Sequence, residues 1–342
     1  MLSYLPIPLR SAMLRSRPSA GPSPEALLRS RIREVFRQLP GALAGQEEPV
    51  HQLRVSGRRL RVALPLVARK PEGRRPRRAL RLLRRLTRVA GRSRDLDVCI
   101  AQLEEHARAA GAAEEVRLLS KRLKAARRRT HATVVEDLLD LEIATLRRDL
   151  RSFLARGPAA PEVVLARLRH ERDRLLGAMR SSLDAVAAAY DPPGLHRLRR
   201  LVRRLRYAAE AADQLLGRES EAPKVLQALQ ERLGSLYDAH VLVVWLSSRA
   251  KAAERRSATE LAAETRRLAA AFDARSREQH ALFLGEDPGS RLAAAVAGMA
   301  LPIEAGHEVA VPLAGAAAEV KSESPDHPSR DSRGPRDPRH SG

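Results

Sequence analysis

An eleven-residue segment that occurs twice in the same register restricts the fold of this chain more than any other feature. His51-Gln-Leu-Arg54-Val-Ser-Gly-Arg58-Arg59-Leu60-Arg61 returns as His196-Arg-Leu-Arg199-Arg-Leu-Val-Arg203-Arg204-Leu205-Arg206. A second landmark follows each copy. Gly91-Arg-Ser-Arg94-Asp95-Leu-Asp97-Val98 lies 40 residues after His51, and Gly234-Ser-Leu-Tyr237-Asp238-Ala-His240-Val241 lies 38 after His196. Repeated order as well as repeated motif identifies an internal duplication, so one half should resemble the other in structure.

The spacing inside each copy is helical. At roughly 100° per residue, His51, Arg54, Arg58 and Arg61 share an arc of about 80°, while Leu53, Leu60, Ala63, Leu64 and Val67 gather opposite them. In the second copy His196, Arg199, Arg203 and Arg206 share the arc, with Arg200 and Tyr207 at its edge. Leu198, Leu201, Leu205, Ala208 and Ala212 form the apolar side. Aromatic residues make up only 3% of the chain, and the abundance of Ala, Leu and Arg favours helix over strand. Breaks near Pro40–Gly45, Pro71–Pro76, Gly91–Ser93, Gly157–Pro161, Asp191–Gly194 and Gly217–Pro223 divide the chain into successive helices. The expected fold is therefore all-α: two pseudo-symmetric antiparallel four-helix bundles, residues 25–156 and 161–285, with their basic helices facing a shared groove. Residues 1–24 and 286–342 are expected to be mostly disordered, because the tail from Ser322 is a mixture of Ser, Pro, Arg, Asp and His that cannot bury enough surface to fold.

Charge indicates what the groove is for. Lys and Arg number 63 against 41 Asp and Glu, a formal net charge of +22. Between His51 and Arg94 there are 16 basic residues and one acid, Glu72. The helix after the first copy adds Arg77, Arg81, Arg84, Arg85 and Arg88, mostly at helical spacing; in the second half Lys224, Gln227 and Glu231 replace Arg81, Arg84 and Arg88. Like charges three or four residues apart destabilise an isolated helix, so rows of this kind call for an external anion. Arginine donates paired hydrogen bonds to phosphate oxygens, and a polyanion that displaces counterions binds with steep salt dependence.

Other residues carry less. His51 and His196 open the basic rows, either as imidazolium donors to phosphate, with pKa raised by the anion, or as neutral rings hydrogen-bonded inside the bundle. Asp95 and Asp238 follow glycines read as helix breakers, which makes them N-caps that also clamp a row arginine. Cys99 is the single cysteine; it excludes an intrachain disulfide and reads as a small buried side chain. Ten scattered histidines and a weak Asp95/Asp97 pair do not form a metal site, and no Walker loop or Ser-His-Asp arrangement is present. Neither a cofactor nor a membrane partner is expected, since no apolar run approaches the ~20 residues of a bilayer span.

At these motifs the chain resembles the CHAD family, the conserved histidine α-helical domain, with its His-x-x-Arg-x-x-x-(Arg/Lys)-Arg-Leu-Arg helix and Gly-x-x-Arg-Asp-x-Asp-Val turn. The resemblance covers about residues 25–285. It implies two pseudo-symmetric four-helix bundles whose groove binds inorganic polyphosphate, and in some members cytoplasmic association with polyphosphate granules. Carried over by motif position, the contacts are His51, Arg54, Arg58, Arg59, Arg61, His196, Arg199, Arg203, Arg204 and Arg206. Arg81, Arg84, Arg85 and Arg88 extend the set, as does Arg200 beside the second row. Many relatives also carry an N-terminal CYTH-type triphosphatase barrel; no Glu-x-Glu-x-Lys motif precedes His51, so a stand-alone, non-catalytic binding module is expected. The competing reading is nonspecific nucleic-acid binding through the same arginines, disfavoured by the scarcity of stacking aromatics. An enzyme acting on polyphosphate would need metal-binding acids among the basic residues.

Overall fold

Prolines, short polar caps and left-handed glycines set the helix ends in the computed structural model, which describes residues 23–110 and 114–302. Helix α1 (Pro24–Leu43) starts with Pro at its first position and the Ala26 amide donating to Ser23 Oγ at 3.2 Å. Helices α2 (Glu47–Val67), α3 (Arg74–Val89), α4 (Arg92–Ala110), α5 (Glu114–Leu139) and α6 (Ile143–Arg156) complete the first half. Gly157, at φ 74°, then turns the chain into α7 (Pro161–Ala188). There follow α8 (Pro192–Leu216), closed by Gly217 at φ 61°, α9 (Ala222–Glu254), α10 (Thr259–Gly285) and α11 (Pro288–Gly298). Proline at the first turn of α7, α8, α9 and α11 uses a position where the missing N–H has no intrahelical partner to lose. Among the described residues there is no strand, only an isolated bridge between Ala68 and Pro158.

Every break read from the sequence is a break here except one. Gly234 lies inside α9, a continuous helix of 33 residues that covers in the second half what α3, the Gly91 turn and α4 cover in the first. As a local signal the glycine reads as a breaker. In a helix interior it costs only about 1 kcal/mol relative to alanine, and a row arginine described below lies close against it.

The turn at Gly157 exists, but the buried core does not divide there. One cluster joins α1, α2, α3, the end of α5 and α6 to the start of α7 and the last turns of α8, with Leu53, Leu60, Leu64, Leu83, Leu138, Leu146, Leu168, Ala208 and Ala212 among its members. A second joins the rest of α7 and α8 to the first half of α9, the end of α10 and α11. A third takes Cys99 and Leu103 of α4, Leu119 and Leu123 of α5, Leu242 and Leu246 of α9, and Leu268 and Phe272 of α10. In this third cluster the apolar stripes of α4 and the first half of α5 meet those of the later part of α9 and the middle of α10, so the two halves complete one another there. Cys99 is buried, and burial pushes its thiol up to about 12, as its reading as a packing residue requires.

The described structure also runs past the expected end of the ordered region. Leu292, Ala295 and Met299 of the α11 segment pack into the second cluster, and Arg218 Nη1 donates to Ala300 O at 3.1 Å. Ala and Gly dominate this segment, so its apolar stripe is shallow and its period hard to read. The expectation of disorder for residues 1–22 and 303–342 lies outside the described residues.

Candidate functional site

The two repeat copies form the first half of α2 and of α8, and these two helices pack together. Their leucines are buried as the pattern requires, with Leu53, Leu60 and Leu205 at 0% exposure. That burial fixes the rotation of each helix and brings the basic arcs toward one another. Arg58 lies in the field of Arg203, Arg54 and Arg199, and Arg203 in that of Arg199, Arg54 and Arg61. Arg58 and Arg203 occupy the same place in the two repeats. Neither makes an ion pair among the described residues, and no carboxylate is among the charged groups that act most strongly on them.

Burial, reinforced by the like charges, drives the Arg58 guanidinium well below its usual range and Arg203 down to about 9. The structure thus holds half-buried cations from both repeats within one another's field, although an unpaired buried charge is strongly unfavourable. An anion placed between them would offset both the desolvation and the repulsion.

The second landmark of each repeat serves these rows. A Cβ on Gly91 would stand 3.4 Å from Arg54 Nε, and one on Gly234 would stand 2.9 Å from Arg199 Nη2. Gly234 therefore leaves room for the Arg199 guanidinium, whereas at Gly91 the Arg54 contact is an ordinary one and the tighter neighbours are the Thr87 and Arg88 carbonyls at 3.2 Å. Asp238 Oδ1 is 3.6 Å from Arg199 Nη1, so the expected clamp is present. The expected N-caps are not: Asp238 is mid-helix in α9, and Asp95 lies inside the first turn of α4, which begins at Arg92.

Other site residues expected from the sequence separate by role. Arg59 donates from Nε to Glu210 Oε2 at 2.8 Å and from Nη2 to Oε1 at 3.3 Å, tying α2 to α8. Arg204, at the equivalent position of α8, pairs instead with Glu171 of α7. Both arginines spend their charge on the scaffold and do not join the central cluster. Arg206 also turns to Glu210, with Nε 3.7 Å from Oε1, and stacks 4.9 Å from the Tyr207 ring centroid. Arg61 Nη1 donates to Thr87 Oγ1 at 3.1 Å. Thr87 follows Arg84 by about one turn of α3 and precedes Arg88, so the basic surface continues from α2 onto α3, where Arg81 and Arg85 are exposed. At the corresponding positions of α9, Lys224 pairs with Glu221 at 2.9 Å and Gln227 with Glu231 at 2.9 Å, so the surface does not continue there.

Glu210, Tyr207, Glu171 and Arg31, which stands 4.0 Å from Glu210, were not singled out by sequence reasoning except Tyr207 at the arc's edge. The signal for Glu210 was its place four residues after Arg206, the helical spacing of an ion pair.

The histidines differ. His51 lines a cleft of about 350 Å³ with Arg54, Ser93, Asp97, Arg127 and His131. His196 stacks on Tyr237 with ring centroids 4.0 Å apart, and its Nδ1 is buried without a hydrogen-bond partner. Burial first, then Arg200, Arg203, Arg199 and Arg58, push its pKa from 6.5 down to about 3. In the ligand-free protein His196 is accordingly neutral, but its buried Nδ1 lacks the hydrogen bond that the neutral alternative expects. Its folded-state pKa lies below the unfolded value, so the unfolded chain takes up the proton more readily. Stability from this group is complete above about pH 6.5 and declines as the pH falls toward 3. His240, also pushed down by burial, adds to the same decline. Thermal melts of ligand-free protein should show the melting temperature falling below pH 6.5, with a shallower slope in His196→Asn; an unchanged slope would remove His196 as its source.

Among the described residues no group of three or more His, Cys, Asp or Glu side chains is placed to hold a metal ion, and no helix is long and apolar enough to cross a membrane.

A family model for the CHAD domain matches residues 26–247, about two thirds of the chain. The crystal structure of the CHAD domain from the plant Ricinus communis is similar, with a TM-score of 0.54 at 22% sequence identity, over 82% of this chain and 92% of that one. At that identity the likeness concerns the fold. No curated protein matches the chain. The duplicated basic helix, the all-helical fold and the family match agree: this chain belongs to the CHAD family.

Proposed function

We propose that this protein binds inorganic polyphosphate in the groove between α2 and α8, without chemical change to the polymer, and associates through it with polyphosphate granules in the cytoplasm. The observation that carries the reading is the meeting of Arg58 and Arg203, one from each repeat, both half-buried and neither ion-paired among the described residues. A ligand that neutralises them must bring several negative charges into a narrow space. A chain of phosphates does so at every unit, and forked guanidinium donors match its oxygens. Arg54, Arg199 and Arg61 flank the pair, and the α3 face with Arg81, Arg84, Arg85 and Arg88 extends it on one side only.

Duplex nucleic acid presents similar phosphates but carries them on a wide, stiff cylinder, which suits an exposed basic face better than a half-buried arginine pair. The deciding experiment is a competition titration of long-chain polyphosphate against DNA and RNA of matched charge at near-physiological salt. Polyphosphate should prevail by at least about tenfold, with log affinity falling linearly in log salt. Equal competition would make the protein a generic polyanion binder. Incubation with magnesium should leave polymer length unchanged; release of phosphate would overturn the non-catalytic reading.

The glycine seat gives a separate check. Gly234→Ala adds a Cβ 2.9 Å from Arg199 Nη2, so the guanidinium must leave its place, while the α9 helix itself gains about 1 kcal/mol in propensity. Isothermal titration should show polyphosphate affinity lowered by about tenfold, the loss of one charge-assisted hydrogen bond, with the melting temperature kept or raised. A variant that binds normally would show that the seat does not position Arg199 for the ligand.

A further inference from the structure

The chain holds a second cationic cluster, centred at the far end of α9. Arg249 lies with its guanidinium carbon 5.6 Å from the centroid of the Trp245 ring. Arg122 and Arg129, seven residues apart and so on one face of α5, both act on it electrostatically, as do Arg255 and Arg256 in the turn that ends α9. Burial and then these four neighbours push Arg249 down. None of the five arginines makes an ion pair among the described residues. Glu254, next to Arg255 in sequence, pairs instead with Arg266, and Glu264 with Arg267. Other surface arginines, such as Arg37, Arg277 and Arg291, find a carboxylate a turn or so away; these five do not.

The cluster is a separate surface. Arg249 stands 15 residues beyond Gly234, the seat of Arg199, on one uninterrupted helix, a rise of about 22 Å. That distance exceeds two screening lengths of about 8 Å at physiological salt, so Arg249 and Arg199 do not sense one another's charge directly, while Arg129, two residues from Arg127 and His131 of the His51 cleft, is the cluster member nearest the groove. Each end of that span must recruit its own anion.

We propose that Arg122, Arg129, Arg249, Arg255 and Arg256, gathered around Trp245, form a second phosphate-binding surface that takes a distant segment of the polyphosphate chain held in the groove. The inference rests on the polyphosphate reading and adds to it a dependence of affinity on chain length. A short oligomer fills the groove alone. A chain long enough to reach the end of α9 engages both surfaces, and the second contact is intramolecular, at a high effective concentration set by the bound polymer. Trp245 holds Arg249 by cation–π contact, which limits the freedom that the guanidinium loses on binding.

Trp245 is the only tryptophan in the chain, so its emission reports on this surface alone. The test titrates the full chain with tripolyphosphate, with intermediate fractions and with long-chain polyphosphate, following total binding by calorimetry and occupancy of the second surface by Trp245 fluorescence. Long chains should change the emission and bind at least tenfold more tightly per molecule than short ones; short ones should bind without changing it. In Arg122→Ala/Arg129→Ala/Arg255→Ala/Arg256→Ala the advantage of long chains should disappear while short-chain affinity stays. Arg255→Ala/Arg256→Ala, confined to two exposed turn residues, should lose part of the advantage and guards against misfolding of the larger variant. Long chains that leave Trp245 emission unchanged, or that bind the fourfold variant as tightly as the native protein, overturn the inference and leave the groove intact. Emission that responds to single-stranded RNA and not to long polyphosphate overturns it in favour of a nucleic-acid surface. If no chain length binds at all, the polyphosphate reading itself has failed and this one falls with it.

Discussion

Replacing Arg58 and Arg203 together by methionine should weaken polyphosphate binding by at least about 100-fold and, at the same time, raise the melting temperature of the ligand-free protein. The two effects have one cause. Arg58 and Arg203 are each driven down by burial and by like charges from the facing repeat, with no carboxylate among the groups that act most strongly on them. The ligand-free groove therefore stores unfavourable electrostatic free energy that an anion releases. Methionine keeps much of the side-chain volume and removes the charge. Replacement of buried ionic groups by apolar ones of similar size is commonly neutral or stabilising by about 1–4 kcal/mol, while removing a charge-assisted hydrogen bond to phosphate costs about 1.5–3 kcal/mol. Scanning calorimetry with and without polyphosphate reads both effects. Native protein should show a large ligand-induced rise in melting temperature, and the double variant a higher baseline with almost no rise. A double variant that melts lower than native protein without ligand would mean that these guanidiniums are satisfied in the scaffold and that the groove stores no such charge.

That stored charge was partly legible in the sequence. The register of the two rows, the opposition of leucines to arginines and the helical breaks all follow from spacing, because burial of Leu53, Leu60, Leu198 and Leu205 dictates how α2 and α8 are turned. Spacing along one helix does not tell which of several adjacent arginines meets a partner on another helix. Arg58 and Arg59 are neighbours in sequence, yet one faces its repeat mate and the other binds Glu210, 151 residues away. The pairing of Arg204 with Glu171 is hidden for the same reason. Gly234 illustrates the opposite error: a local rule that reads glycine as a break gave way to a tertiary need for space beside Arg199. The shared third cluster of α4, α5, α9 and α10 was likewise illegible, since amphipathic helices announce that they need a partner but not which one. The α11 helix escaped because a stripe of alanines has little contrast with its surroundings.

Glu210 is the residue whose loss should distinguish scaffold charge from ligand charge most sharply. Its carboxylate accepts from Arg59 at 2.8 Å, lies 3.7 Å from Arg206 and 4.0 Å from Arg31, so three guanidiniums from α1, α2 and α8 depend on one acid. With 17% of its side chain exposed, it holds the two repeat helices together beside the groove in which Arg58 and Arg203 meet. Glu210→Gln keeps the shape and removes the charge. It should destabilise the ligand-free protein by roughly 2–3 kcal/mol, below the 3–5 kcal/mol typical when a fully buried pair is broken, because Arg59 is partly solvated. The same change releases Arg59 and Arg206 toward the groove, so saturating polyphosphate should recover much of the lost stability, and the ligand-induced rise in melting temperature should exceed that of native protein. The salt dependence of binding should steepen as well, since more phosphates are neutralised per complex. These two readouts separate the roles: a variant that is destabilised but gains no extra response to polyphosphate would place Arg59 and Arg206 wholly in the scaffold. An undiminished melting temperature would instead show that the three arginines do not rely on Glu210. The arrangement places one carboxylate where it fixes the approach of α2 to α8 and none among the groups acting most strongly on Arg58 and Arg203, so on the polyphosphate reading the fold assembles around an excess of positive charge that the anion offsets.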